Sequence, residues 1–292
     1  MENYQNAIEI NGITKRYDGF TLDNVSFNVE KGSIMGFIGQ NGAGKSTTIN
    51  TILNIIAPDE GDVKIFGLDH RKDELEIKQS LSAVFDELPF HDSLTAHALD
   101  KILKEVFSGW SSDTFSDFLD RFQLPRKKKF GQFSKGMKMK LQIAAALSHN
   151  AKLLVMDEAT TGLDPVVRNE ILDIFLEFLQ NEDHSILMSS HITTDLEKVA
   201  DSVTFIDRGK ILLTGNKDDI LETHALLKCS KNDFTDIAES DYVSARVTDL
   251  GAELLVPDRA AAMKKYGGAV IEQTTLEEIM LFYVKRGKKE WK

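Results

Sequence analysis

One octapeptide restricts this chain more than any other feature. Residues Gly39-Gln40-Asn41-Gly42-Ala43-Gly44-Lys45-Ser46 fit the pattern G-x-x-x-x-G-K-[ST] in full. A short apolar run at 33–38 leads into it. Residues 45–57 follow, with Ile49, Leu53 and Ile56 at helical spacing and Pro58 just beyond. A strand therefore has to feed this turn and a helix has to leave it. The glycines let main-chain amides curl around phosphate oxygens. The helix starting near Lys45 aims its positive end at the same anion. Lys45 can neutralise β- and γ-phosphates, and the Ser46 hydroxyl can bind Mg²⁺. Gly39, Asn41, Gly42, Ala43, Gly44 and Thr47 complete the cradle, so ATP and Mg²⁺ are the expected ligands.

The rest of the pattern suits such a cradle. Ile8, Ile10 and Ile13, then Leu22, Val25, Phe27 and Val29, recur at strand-like spacing. Leu153-Leu154-Val155-Met156 is a continuous apolar strand, of the kind covered on both faces in a parallel sheet. It ends in Asp157-Glu158. Ligands of open α/β sheets sit at the carboxyl ends of strands. Asp157 is thus placed to hold Mg²⁺, and Glu158 to act as general base on water. Further strands are expected at 62–66, 185–189 and 203–207, and helices at 138–147 and 169–179. Residues 88–150 read as mainly helical, with Leu99, Ile102, Leu103 and Val106 on one face. The fold class is α/β with a largely parallel sheet. Beyond about 215 the pattern weakens to a small α+β appendage closing in a helix at 275–286.

Composition narrows the setting. The net charge of −11 argues against a nucleic-acid-binding body. The single cysteine, Cys229, excludes an internal disulfide. No run approaches the roughly 20 apolar residues of a membrane span, and residues 1–10 lack a signal peptide's apolar centre. We expect a cytoplasmic protein that reaches a membrane only through a partner.

Further motifs, in order along residues 7–215, resemble the ATP-binding-cassette (ABC) family. Phe133-Ser134-Lys135-Gly136-Met137 resembles its signature L-S-G-G-Q. Thr161-Gly162-Leu163-Asp164 resembles its D-loop, Ser190-His191 its switch histidine, and Tyr17 the ring it stacks on adenine. Read singly, each has a plainer account. Ser134 can be a helix cap, Asp164 a turn before Pro165, His191 a structural histidine and Tyr17 ordinary surface or core. The resemblance implies a P-loop NTPase, with a RecA-like core, an antiparallel β subdomain and a helical subdomain at about 88–150. The boundaries expected are a nucleotide-binding domain at 1–215 and an accessory domain at 216–292. It further implies a homodimer in which Ser134, Lys135, Gly136 and Asp164 act on ATP held by the partner copy. His191 would sense the γ-phosphate.

Three positions depart from the family pattern, among them Met137, which stands where the signature has glutamine. Asp86 stands where a glutamine is usual, and its carboxylate is still a hard oxygen ligand for the metal. Lys135 stands where the signature has glycine, which brings a positive charge toward the partner's phosphates. The resemblance is to ATPase subunits of Gram-positive exporters of antimicrobial or amphipathic peptides. Such a subunit sits on the inner face of the membrane beneath a separate permease and does not touch cargo. Residues 85–107, with Phe90, Leu94 and Phe107, are where the family docks its permease; core packing explains each equally well. The basic run at 126–129 and Lys285, Arg286, Lys288 and Lys289 read as solvated charge. The alternative function is a soluble cassette ATPase of translation or DNA repair.

Overall fold

The computed structural model describes residues 4–87 and 89–285. In chain order, β1 (Asn6–Tyr17), β2 (Phe20–Glu30) and β3 (Ile34–Ile38) precede α1 (Lys45–Ile52). Then come β4 (Glu60–Ile65), β5 (Leu68–Asp69), α2 (Glu74–Ser80) and β6 (Leu81–Phe85). Helices α3 (Ala96–Val106), α4 (Ser112–Arg121) and α5 (Lys135–Ala146) form the helical region. The sheet resumes with β7 (Leu153–Asp157), α6 (Pro165–Phe178), β8 (Ser185–Ser190), α7 (Thr193–Val199), β9 (Ser202–Asp207) and β10 (Lys210–Asn216). The final part holds α8 (Lys217–Thr223), β11 (Ala225–Cys229), α9 (Lys231–Phe234), β12 (Ala245–Thr248) and β13 (Gly251–Val256). It ends with α10 (Arg259–Lys265), β14 (Val270–Gln273) and α11 (Leu276–Val284).

A six-stranded sheet in the order β10-β9-β3-β8-β7-β6 forms the centre, parallel except for β10. A four-stranded antiparallel sheet, β2-β1-β4-β5, packs on one side. Successive side chains of a strand point to opposite faces, and the apolar runs use this fully. Leu153 and Val155 enter the core shared with the antiparallel sheet, where Phe27 stacks on Phe37 at 5.1 Å. Leu154 and Met156 enter the core shared with α5 and α6. A strand buried on both sides has no polar alternation, which is why 153–156 is apolar throughout.

The last sheet, β12-β13-β11-β14, is antiparallel. Its alternation also divides: Leu227 and Leu254 face a small core under α10, while Leu226 and Leu255 join Leu276, Ile279 and Phe282 of α11 in the main core. A capping box at Thr275 and Glu278 starts α11. The Leu276 amide donates to Glu197 of α7 at 2.8 Å. Tyr283 meets the buried His224 at 3.1 Å.

Several expected elements differ in extent. Helix α1 stops at Ile52 rather than reaching residue 57, because Asn54 takes a left-handed φ of 54°. Helix α5 begins at Lys135 rather than 138, capped by Ser134, and α6 begins at Pro165 rather than 169, capped by Asp164. The face expected from Leu99, Ile102, Leu103 and Val106 divides: Leu99 and Leu103 are buried, whereas Ile102 and Val106 are 45% and 55% exposed. Phe90, Leu94 and Phe107 pack against the core, half-buried. Arg286, Lys288 and Lys289 lie outside the described residues.

Candidate active site

The turn between β3 and α1 closes around Lys45, which is 5% exposed. Its Nζ donates to the Gly39 carbonyl at 2.7 Å and lies 3.3 Å from that of Gln40. The glycines are required by contact and by conformation. A Cβ on Gly39 would stand 2.6 Å from the Ile206 carbonyl of β9. Gly44, the residue before α1, has φ 115°, which side-chain-bearing residues rarely adopt. The result is an open depression of about 380 Å³. Asn41, Gly42, Gly44, Lys45, Ser46 and Thr47 line it, with Phe20 and Glu158 as walls. Tyr17 does not line it. That ring is 43% exposed and stacks on Phe20 with centroids 6.5 Å apart. Alternation in β2 gave no reason to single out Phe20.

The acidic strand end faces this loop. Register places Asp157 between Phe85 of β6 and Ser189 of β8, and Ser189 Oγ donates to Asp157 Oδ1 at 2.6 Å. Glu158 turns sharply, with φ 55°. A left-handed non-glycine residue costs on the order of 1–2 kcal/mol. The turn brings its carboxylate back over the loop: Oε1 lies 3.0 Å from Lys45 Nζ. Oε2 accepts from Thr161 Oγ1 at 2.7 Å and from His191 Nδ1 at 2.6 Å. Burial alone would raise the Glu158 carboxyl's pKa. The bonds from Thr161, Lys45 and His191, with the Lys45 charge, outweigh burial and hold it below the usual glutamate value. Glu158 is thus ionised and held by a cation that a phosphate can also claim. Thr161 was not singled out from sequence beyond its place in the Thr161–Asp164 motif.

The other predicted residues gather apart from the depression. Ser134 Oγ accepts from the Met137 amide at 3.3 Å, the geometry of a helix cap. Asp164 Oδ1 accepts from the amides of Val166 and Val167. Gly136 packs against Val167, so the two capped helix starts are neighbours. Lys135 Nζ lies 2.5 Å from Asp86 Oδ1, at the end of β6.

Among the described residues no group of three or more His, Cys, Asp or Glu is placed to hold a metal ion. Ser46 lines the depression with its hydroxyl, and the Asp157 carboxylate ends the strand that delivers Glu158 to it. Hard oxygen donors too few for a complete shell suit Mg²⁺ arriving with a nucleotide, whose phosphates supply further ligands.

A second concavity, about 460 Å³ and mostly apolar, lies between the end of α1, α2, β6 and the end of α3. Leu75, Ile55 and Val106 on its rim are 85%, 63% and 55% exposed. Phe107 lines it, while Phe90 and Leu94 do not. No helix among the described residues is long and apolar enough to cross a membrane.

Comparison with known proteins points one way. The family model described as ABC transporter matches residues 22–161. The bacitracin transport ATP-binding protein BcrA of Bacillus licheniformis is 35% identical, over 70% of this chain and 68% of its own length. The lantibiotic transport ATP-binding protein SrtF of Streptococcus pyogenes is 34% identical, over 72% of this chain and 91% of its own. A solved ATP-binding subunit of an ABC transporter superposes with a TM-score of 0.67 at 26% identity, covering 74% of this chain and 92% of that one.

Proposed function

The chain belongs to the ABC transporter family and is an ATP-hydrolysing subunit; from that premise we propose that two copies pair around ATP and drive a separate permease that exports antimicrobial or amphipathic peptides. One observation supports the catalytic part above others. The Glu158 carboxylate is ionised at a strand end and shares Lys45 with the phosphate loop. In this reading the ATP phosphates take the loop amides and Lys45. Loss of Lys45 releases Glu158 to accept a proton from the attacking water. His191 keeps Glu158 oriented and responds to the γ-phosphate. Mg²⁺, held by Ser46 and Asp157, would neutralise developing phosphate charge; Asp86, a further oxygen donor in this reading, is paired with Lys135. Tyr17 and Phe20 offer ring faces for adenine. Ser134, Lys135, Gly136 and Asp164 complete the site from the opposite copy.

The apolar groove supports the partner assignment, since an exposed patch of this kind fits an amphipathic helix from a permease. The subunit would then sit on the inner face of the membrane, with residues 216–292 as an accessory domain. Bacitracin and lantibiotics, named for the relatives, motivate the cargo class. A soluble cassette of translation or DNA repair is disfavoured by relatives that are named as transport subunits.

The test uses Glu158→Gln. It should bind ATP, slow hydrolysis by roughly 10²–10⁴-fold and accumulate as an ATP-bound dimer seen by light scattering. Near-normal turnover would remove Glu158 from the role. Leu75→Asp should lose co-purification with the permease while keeping ATP affinity; retained co-purification would move the docking site elsewhere.

A further inference from the structure

Two departures from the family pattern, far apart in sequence, meet in space. Helix α5 is fastened to the edge strand β6 at three places. Ser82 Oγ donates to the Ala146 carbonyl at 2.9 Å. Gln142 satisfies Phe85 on both sides, accepting from its amide at 3.1 Å and donating to its carbonyl at 3.0 Å. Lys135 meets Asp86 at 2.5 Å. The first two links are buried, with Ser82 and Gln142 6% and 4% exposed. In the third, both side chains are 43% exposed.

This grading follows the helix. The body of α5 is fixed through two side chains that are themselves buried. Its first turn, which follows Ser134 and contains Gly136, is joined to the end of β6 by an accessible ion pair. Helix stability does not explain Lys135. A cation at a helix N-terminus opposes the macrodipole, and the first turn of α5 has no acidic residue to offset it. Asp86 supplies the compensation. The lysine also lies over the D-loop: a Cβ on Gly162 would stand 3.2 Å from Lys135 Nζ. One side chain of the signature helix thus pairs with the segment after β6 and lies beside the turn leading to Asp164.

We propose that Asp86 and Lys135 are a positioning pair: in the nucleotide-free chain Asp86 holds the signature turn against β6 through Lys135, and the triphosphate on an opposing copy competes for that ammonium, so that pairing of the copies opens the bridge. This inference rests on the paired reading above. Asp86 then acts through Lys135, and setting the ATP concentration needed for pairing falls to the pair rather than to either residue. Because the pair is exposed, salt weakens it.

The experiment uses the full chain carrying Glu158→Gln. Amide hydrogen exchange at residues 133–138 is followed without nucleotide, and light scattering gives the ATP concentration for half-maximal pairing. Asp86→Asn and Lys135→Gln should each speed exchange, by roughly twofold to fivefold for an exposed pair, and together no further. Lys135→Arg should preserve protection, and the swap Asp86→Lys with Lys135→Asp should restore it. Asp86→Asn should lower the ATP threshold, Lys135→Gln should raise it, and the double variant should follow Lys135→Gln. Unchanged exchange in Asp86→Asn overturns the proposal. So does an Asp86→Asn shift in threshold that is the same with and without Lys135, since Asp86 would then act on metal or phosphate directly. Exchange responses with no ATP-driven pairing in any variant, the Glu158→Gln parent included, overturn the paired reading and the competition step with it. Pairing without exchange responses overturns the positioning pair alone.

Discussion

The phosphate loop and the signature turn are two helix starts in one chain, and they are built in opposite ways. Lys45 is almost fully buried, fixed by carbonyls of its own loop and by Glu158. The signature turn is open: Ser134 caps α5, and Lys135 is held by an accessible carboxylate. Preorganised donors stabilise charge most when they need no rearrangement. The loop is made to bind alone. In the proposed pairing, the signature turn is the half that the opposite copy completes.

The largest test of that contrast is Lys45→Ala. Charge-assisted hydrogen bonds contribute about 1.5–3 kcal/mol, so ATP affinity of the single chain should fall on the order of a hundredfold in a calorimetric titration. Unchanged affinity would mean that the loop is not the binding half. His191→Ala comes next. It removes one of the groups orienting Glu158, and turnover should drop on the order of tenfold with ATP affinity little altered. A loss of affinity instead would make His191 part of the binding loop. Ser134→Ala should be smaller still. Loss of the cap costs about 1 kcal/mol, and pairing should weaken about fivefold while binding by the single chain stays the same. An equal loss in both assays would erase the distinction between the halves.

The smallest effect concerns the scaffold under both. Burial lowers the proton affinity of His70, His149 and His224, only partly offset by backbone hydrogen bonds. Their folded pKa values lie below the ordinary 6.5, so the unfolded chain takes up protons first as pH falls. Stability should be complete above that value and decline below it. A lower urea midpoint at pH 5.5 than at pH 7.5 is the expected result, reduced when His149 is replaced by Gln. Equal midpoints would count against neutral buried imidazoles.

How much of this was legible depended on the distance over which each signal acts. The octapeptide, the strand 153–156 and its two carboxylates are local patterns, and their fold follows from composition and order. The helix starts were readable in principle: Asp164-Pro165 is a cap followed by the residue preferred at the first helical position, yet apolar periodicity alone begins the helix four residues later. Ile102 and Val106 share a helical face with buried neighbours, and nothing local reveals that α3 ends beside an open groove. The contacts of Gln142 with Phe85 and of Lys135 with Asp86 join distant segments, and no periodicity encodes them.

The alternation of β7 carries one last consequence. Leu153 and Val155 belong to one compartment of the interior, Leu154 and Met156 to the other, and Asp157 and Glu158 are the next residues on. The strand is a party wall between two rooms, and the two carboxylates stand at its end. Repacking on either side shifts the same beam, so slack in the antiparallel sheet or among the helices arrives at one address.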